Sequence, residues 1–165
     1  MWVTIPRGIA GGAQWRVLPF GVVGPERAQG RVLPFNVVGP EGRGFSRDVG
    51  SAPAVQRVIL GVHQGIASLQ GGVHAAGVLR GALIANQTAH EFGQVWGAKA
   101  AGAMHLHDVI VDEAMSELEL FVMFSSAASM LGNAGQANYA ASNAVLDALA
   151  VRRRFMGLCG TSIQW

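Results

Sequence analysis

Apolar residues first recur at sustained helical spacing from about residue 51. Ser51 can cap a helix, with Pro53 in its first turn, and Val55, Val58, Ile59, Val62 and Ile66 follow three or four apart. "GGVHAAG" (71–77) reads as a short buried strand running into a glycine turn. Thr88 and Glu91 form a Thr-x-x-Glu capping box, and the helix it opens carries Phe92, Val95, Trp96, Ala100 and Ala103 on one side. "LELFVMF" (118–124) is a compact apolar strand. Gly135 to Phe155 reads as a long alanine-rich helix, with Gly157 placed to stop it, and "TSIQW" (161–165) reads as a last strand. Strands alternating with helices predict an α/β fold with a parallel sheet.

The first 45 or so residues follow no such pattern. Glycine and proline are dense, and no helical period lasts more than a turn. A near-exact tandem repeat occupies this stretch, "AQWRVLPFGVVGPE" (13–26) and "AQGRVLPFNVVGPE" (28–41). Two copies are too few and too short for a solenoid. Each could give a short strand around its Val-Leu pair, broken at proline and followed by a Gly-Pro turn. The plainer reading is a local duplication with little architectural meaning. The expected division is an irregular segment over 1–45 and a folded domain over 46–165.

Composition narrows the function. Half the residues are hydrophobic and 13% are charged, enough apolar material for a core. The net charge of +2 argues against nucleic acid or a membrane surface as the main partner. The N-terminus lacks the basic start and apolar run of a secretory signal, and no uncharged apolar run reaches the ~18–20 residues of a membrane span. The lone Cys159 cannot form an internal disulfide, which fits a reducing compartment. A cytoplasmic soluble chain is the expectation. Arg152, Arg153 and Arg154 fall where a helix ends, where cations suit the dipole. His105 and His107 point to different faces of their helix with no cysteine or carboxylate cluster beside them, so no metal site is expected. His74 precedes the glycine turn and reads as structural rather than catalytic.

The candidate chemistry lies in "SSAASMLGNAGQANYAASN" (125–143). It holds the only tyrosine of the chain, Tyr139, among residues too small to pack a ring against. Ser125 and Ser126 follow the strand 118–124, at the rim where ligands meet parallel sheets. Asn143 is one helical turn beyond Tyr139 and shares its face. Lys99 falls on the apolar side of its helix, either snorkelling or placed deliberately. Carbonyl reduction wants these four residue types together. A tyrosine hydroxyl can donate a proton to a ketone oxygen, but its ordinary pKa near ~10 makes it sluggish. A lysine cation nearby favours the phenolate. A serine hydroxyl can stabilise the charge building on the same oxygen, and asparagine can hold a water or fix the lysine. Thin surroundings leave room for something to lie against the backbone. A turn followed by a tightly packed helix would also account for the stretch.

At these residues the sequence resembles the ketoreductase domain of type I polyketide synthases, relatives of the animal fatty-acid synthase reductase within the short-chain dehydrogenase/reductase superfamily. The stretches that carry the resemblance are "GGVHAAGVL" (71–79), "ALIANQT" (82–88), "VWGAKAAGAMHLH" (95–107), "LFVMFSSAASMLGNAGQANYAASNAVLDALAVRRR" (120–154) and "TSIQW" (161–165). "SRDVGSAPAVQRVI" (46–59) is similar more faintly. The resemblance implies a Rossmann-like doubly wound parallel sheet and NADPH as hydride donor. It implies a β-ketoacyl group on the phosphopantetheine of an acyl carrier protein as substrate, other synthase domains as partners, and a β-hydroxyacyl product of polyketide or fatty-acid synthesis. It gives Tyr139 as proton donor, Ser126 as carbonyl-binding serine, and Lys99 and Asn143 as the remaining catalytic pair. Ordinary short-chain dehydrogenases carry lysine four after the tyrosine. Here Asn143 holds that place and the lysine comes from an earlier helix, as in the polyketide ketoreductases. Asp48 and Val49 resemble the adenine-contacting pair, and Ala75, Ala76 and Gly77 the turn beside the cofactor ribose.

The family's opening strand and glycine-rich loop have no convincing counterpart. "VTIPRGIAGGA" (3–13) misplaces the glycines and holds a proline. The family would also continue beyond Trp165. The resemblance therefore implies a ketoreductase shortened at both ends, its nucleotide-binding half largely missing or unrecognisable. The alternative is an inactive remnant serving as a scaffold or docking module, or a fragment without function. The family's Leu-Asp-Asp marker of product configuration reads Leu79-Arg80-Gly81 here, and the alternative tryptophan eight before the tyrosine is Leu131, so neither configuration is assigned.

Overall fold

The computed structural model describes residues 34–38, 44–65, 71–113 and 118–165. Its first elements are an antiparallel pair, β1 (Pro34–Val38) and β2 (Gly44–Asp48), in which Pro34 lies opposite Asp48 and Val38 opposite Gly44. The second repeat copy therefore contributes its "PFNVV" half to a strand. Proline is tolerated as the first residue of a strand, where no ladder hydrogen bond is needed from it. Its Val32-Leu33 pair, the first copy and the stretch 3–13 lie outside the described residues.

Helix α1 (Ala52–Gly65) begins after Ser51, whose carbonyl accepts from the amides of Ala54 and Val55, each at 3.0 Å. The main sheet is parallel, in the order β3 (Gly71–His74), β4 (Leu120–Phe124), β5 (Thr161–Ile163). Val73 pairs with Val122, and Met123 with Ser162. Parallel neighbours need crossovers, and helices supply them. Between β3 and β4 run α2 (Ala89–Trp96), a π-helical turn (Gly97–Ala101) and α3 (Gly102–Asp112); between β4 and β5 run α4 (Ala128–Leu131) and α5 (Ala137–Phe155). Helix α1 packs on α3, while α2 and the π turn pack on α5. The core gathers Val49, Val55 and Ile59 with Leu106, Ile110, Phe121, Met123 and Leu146. This is the alternating α/β arrangement that the apolar pattern predicts, a Rossmann-like sheet flanked by helices.

The Thr88–Glu91 capping box forms in full: the Thr88 hydroxyl accepts from the Glu91 amide at 3.2 Å, and the Glu91 carboxylate accepts from the Thr88 amide at 3.0 Å. Gly157 closes α5 at φ 74°, a left-handed conformation natural to glycine. Three details differ from the periodic reading. Phe92 and Trp96 are not core residues; their rings stack at 5.9 Å with Phe92 37% exposed, while Val95 takes the buried position. Helix α5 starts at Ala137, because Gly132 and Gly135, at φ 72° and 71°, turn the chain before it. The arginine run does not stay outside. Arg153 is 1% exposed, and its guanidinium lies 4.1 Å from the Phe121 ring centroid. It donates to the Cys159 carbonyl at 2.6 Å and to Nδ1 of His107 at 2.8 Å. Successive helical positions turn by about 100°, so three in a row cannot share one face. Among the described residues no helix is long and apolar enough to cross a membrane.

Candidate active site

The three parallel strands end on the same side, and the loops leaving them carry the expected residues. Ser125 and Ser126 come directly after β4 and have different fates. The Ser125 amide donates to the Ile163 carbonyl at 2.8 Å, and its hydroxyl, fully buried, donates to the Asn143 carbonyl at 3.3 Å. Ser126 turns outward. Its hydroxyl donates to the Trp165 carbonyl at 3.4 Å and accepts from the Ala128 amide at 3.3 Å.

Tyr139 stands in the first turn of α5 and is half-buried. Its amide donates to the side-chain oxygen of Asn138 at 2.8 Å. Asn138 also donates to the Arg80 carbonyl at 2.9 Å, which ties the tyrosine's helix to the loop after β3. Asn143 donates its side-chain amide to the Tyr139 carbonyl at 2.8 Å. Its Oδ1 is buried and has no partner among the described residues.

Lys99 completes the group. It is 4% exposed, and Nζ donates to the Phe124 carbonyl at 2.8 Å, at the last residue of β4. The same ammonium lies 5.2 Å from the Tyr139 ring centroid. Burial pulls its pKa down from 10.5 to about 8, and the Asp147 carboxylate partly opposes that fall. The structure thus brings Lys99, Tyr139, Asn143 and the serine pair to one place.

Asp147 belongs to the same cluster, and the sequence reading passed over it. It accepts hydrogen bonds from Ser129 at 2.7 Å, from Gln164 at 2.8 Å and from Ser162. Burial alone would raise its carboxyl; the hydrogen bonds led by Ser162, Ser129 and Gln164 outweigh that and hold it below the ordinary carboxylate range. Its helical spacing, one turn beyond Asn143 and two beyond Tyr139, puts it on their face, but spacing alone does not separate it from a solvated carboxylate.

The residues expected beside a cofactor are more scattered. Asp48 closes β2. Val49 is a core residue, and its carbonyl accepts from Nδ1 of His105 at 3.1 Å. Ala75, Ala76 and Gly77 lead away from β3, with Ala76 buried. A Cβ on Gly77 would sit 3.0 Å from Cε of Lys99, so the absence of a side chain there lets the lysine stem pass. Among the described residues no group of three or more histidine, cysteine, aspartate or glutamate side chains could hold a metal ion.

Two loops frame the mouth. The Ala82 amide donates to the Gly135 carbonyl at 2.9 Å, pinning the segment around Leu79-Arg80-Gly81 to the one after Leu131. Leu79, Leu83 and Ile84 in the segment after β3, Met130 and Leu131 at the end of α4, and Trp165 after β5 stand exposed.

Residues 36–165 match the family model described as "KR domain". The chain is 46% identical over 118 residues to the polyketide synthase GfsA of Streptomyces halstedii, an alignment spanning 72% of this chain and 2% of that protein. Among solved structures it is similar to the first ketoreductase of the tylosin polyketide synthase, at 40% identity and a TM-score of 0.66, covering 74% of this chain and 26% of that one. A short-chain dehydrogenase from Mycobacterium avium, at 23% identity and a TM-score of 0.63, shares the fold over 71% of this chain and 45% of its own.

Proposed function

Because the chain belongs to the KR domain family, the ketoreductases of polyketide synthases, we propose that it takes part in NADPH-dependent reduction of a β-ketoacyl thioester to the β-hydroxyacyl thioester. The observation that carries this reading is the buried Lys99 ammonium 5.2 Å from the Tyr139 ring centroid, with Ser126 just after β4 and Asn143 one turn along α5 from Tyr139.

In this reading the Tyr139 hydroxyl gives its proton to the ketone oxygen as the carbonyl carbon is reduced. Ser126, the outward serine, donates a hydrogen bond to that oxygen and stabilises the charge developing there. Lys99 holds its ammonium 5.2 Å from the tyrosine ring centroid, a fixed positive charge beside the negative charge that develops as the proton leaves. Asn143 offers the unpartnered Oδ1 to a water that can return a proton to the site. NADPH, when bound, supplies the hydride.

The residues present fit the nicotinamide-ribose end of such a cofactor. The Ala75-Ala76-Gly77 strip is thin, Lys99 offers donors beside it, and Asn143 keeps a spare acceptor. Asp48 would meet the adenine end, with Val49, fully buried and its carbonyl taken by His105, backing that edge from inside the core. The exposed apolar rim suits an acyl chain delivered on the phosphopantetheine of an acyl carrier protein. The chain spans 2% of the length of the synthase it matches, so other synthase domains are the natural partners, in the cytoplasm.

The test pairs binding with turnover. Fluorescence titration with NADPH should saturate, and Tyr139→Phe should leave that binding nearly intact while cutting reduction of a β-ketoacyl thioester by roughly 100-fold or more. A variant at full rate removes the role given to Tyr139. A folded chain that does not bind NADPH favours the scaffold reading.

A further inference from the structure

His74 lies at the end of β3, 1% exposed, and takes no part in the chemistry described above. Its Nε2 is 2.9 Å from the Lys99 carbonyl oxygen. A carbonyl only accepts, so the ring must carry its proton on Nε2. Nδ1 is then a bare acceptor, and it is indeed the buried nitrogen with no partner among the described residues. Burial pulls the pKa of His74 down to about 4; the bond to the Lys99 backbone opposes the fall and the Lys99 charge adds to it, so the ring stays neutral near pH 7.

The carbonyl it engages sits at the centre of the π turn Gly97–Ala101. The Gly102 amide reaches back to the carbonyls of Gly97 and of Lys99, five and three residues earlier, in place of the regular four. This widened turn buries Ala98, Lys99 and Ala100 in succession, which a regular helix cannot do on one face. Single π turns carry a cost and recur at functional sites. The packing around this one is tight. A Cβ on Gly102 would lie 2.8 Å from Val49 and 3.2 Å from Cε1 of His74.

We propose that His74 is a positioning residue for Lys99: by donating Nε2–H to the Lys99 carbonyl it holds the π turn in the shape that aims the ammonium at the Tyr139 ring and the Phe124 carbonyl. Its consequence for turnover rests on the ketoreductase reading above. The placement itself does not.

The chain offers a direct readout, because Lys99 is its only lysine. Labelling with lysine carrying 13C at Cε gives one side-chain resonance, whose pH midpoint reports how buried the amine is. In the unmodified chain the midpoint should fall at about 8. In His74→Ala the turn should relax and the midpoint climb by more than about one pH unit towards the ordinary lysine value. His74→Gln, which can present an N–H at similar reach, should hold it near the starting value. A folded His74→Ala chain whose lysine still titrates at about 8 overturns the proposal. Should His74→Ala fail to fold, 15N spectra of the unmodified chain decide. An Nε2–H tautomer at His74 that persists well below pH 6.5 supports the proposal, and an Nδ1–H tautomer overturns it. Neither measurement needs NADPH or substrate, so an inert reductase leaves the test intact.

Discussion

Single residues carry the sharpest contrast at the serine pair. Ser125 and Ser126 are neighbours of one chemical type, yet one is spent inside and the other faces the mouth. Ser125→Ala removes a buried hydrogen bond and should cost about 1 kcal/mol of stability, read by urea denaturation, with turnover little changed. Ser126→Ala should show the reverse, a loss of roughly 10²–10³ in kcat with stability nearly unaltered. Equal effects from the two would contradict the division. Tyr139 and Lys99 stand out in the sequence because each is an odd residue in its place, a lone tyrosine among alanines and a lysine on an apolar face, while the choice of Ser126 over Ser125 and the part given to Asn143 come from the resemblance to the family's motif. Asp147 does not stand out, since a carboxylate on a long helix reads as solvated surface until Ser129, Ser162 and Gln164 are seen converging on it. The role of His74 was equally hidden, because its partner is a backbone carbonyl 25 residues away.

Among the elements, start and stop signals were the most faithful guides. The capping box at Thr88 and the glycine at 157 depend on local geometry alone, which is why they survive folding unchanged. Thr88→Ala should cost about 1 kcal/mol in thermal or chemical unfolding; no loss would mean that α2 is held by its packing on α5 alone. The π turn escaped because a 3.6-residue period has no slot for an extra residue, and the stretch "GAKAAGA" satisfies any register equally well. Phe92 and Trp96 misled for a related reason. They lie on the apolar stripe, but they stack on each other at its edge while the smaller Val95 fills the interior. The end of α5 hides a charge that periodicity assigns to solvent. Arg153→Met removes the donors to Cys159 and His107 and should destabilise by roughly 2–3 kcal/mol. An unchanged unfolding midpoint would show that the methionine stem on Phe121 suffices.

For the molecule as a whole, two buried histidines set an acid limit. His74 and His107 are both held below the ordinary 6.5, by burial first, with the Lys99 charge adding to the fall at one and the Arg153 charge at the other. The unfolded chain takes up protons near that pH which the folded chain refuses. The His74 contribution is therefore complete above 6.5 and is lost as pH falls towards about 4, on the order of 3 kcal/mol, and the His107 contribution is lost in the same direction. Urea midpoints should drop steadily across that window, and a flat profile would count against neutral buried rings. The sheet brings a second expectation. Among the described residues β3 is paired on one side only, and open edges invite association. Sedimentation should show concentration-dependent growth; a strictly monomeric, non-aggregating chain would argue that this edge is covered. The loops at the strand ends have a practical consequence of their own. Leu79, Leu83, Ile84, Met130, Leu131 and Trp165 keep apolar surface in water on the intact fold, Leu131 with 82% of its surface exposed. Fluorescent dyes that light up on greasy surfaces, commonly used to flag loosened proteins, should glow with this one in its native state, and detergent monomers should compete for the same rim. A bright dye signal would then mark an intact mouth, and its fading on heating would mark the loss of structure.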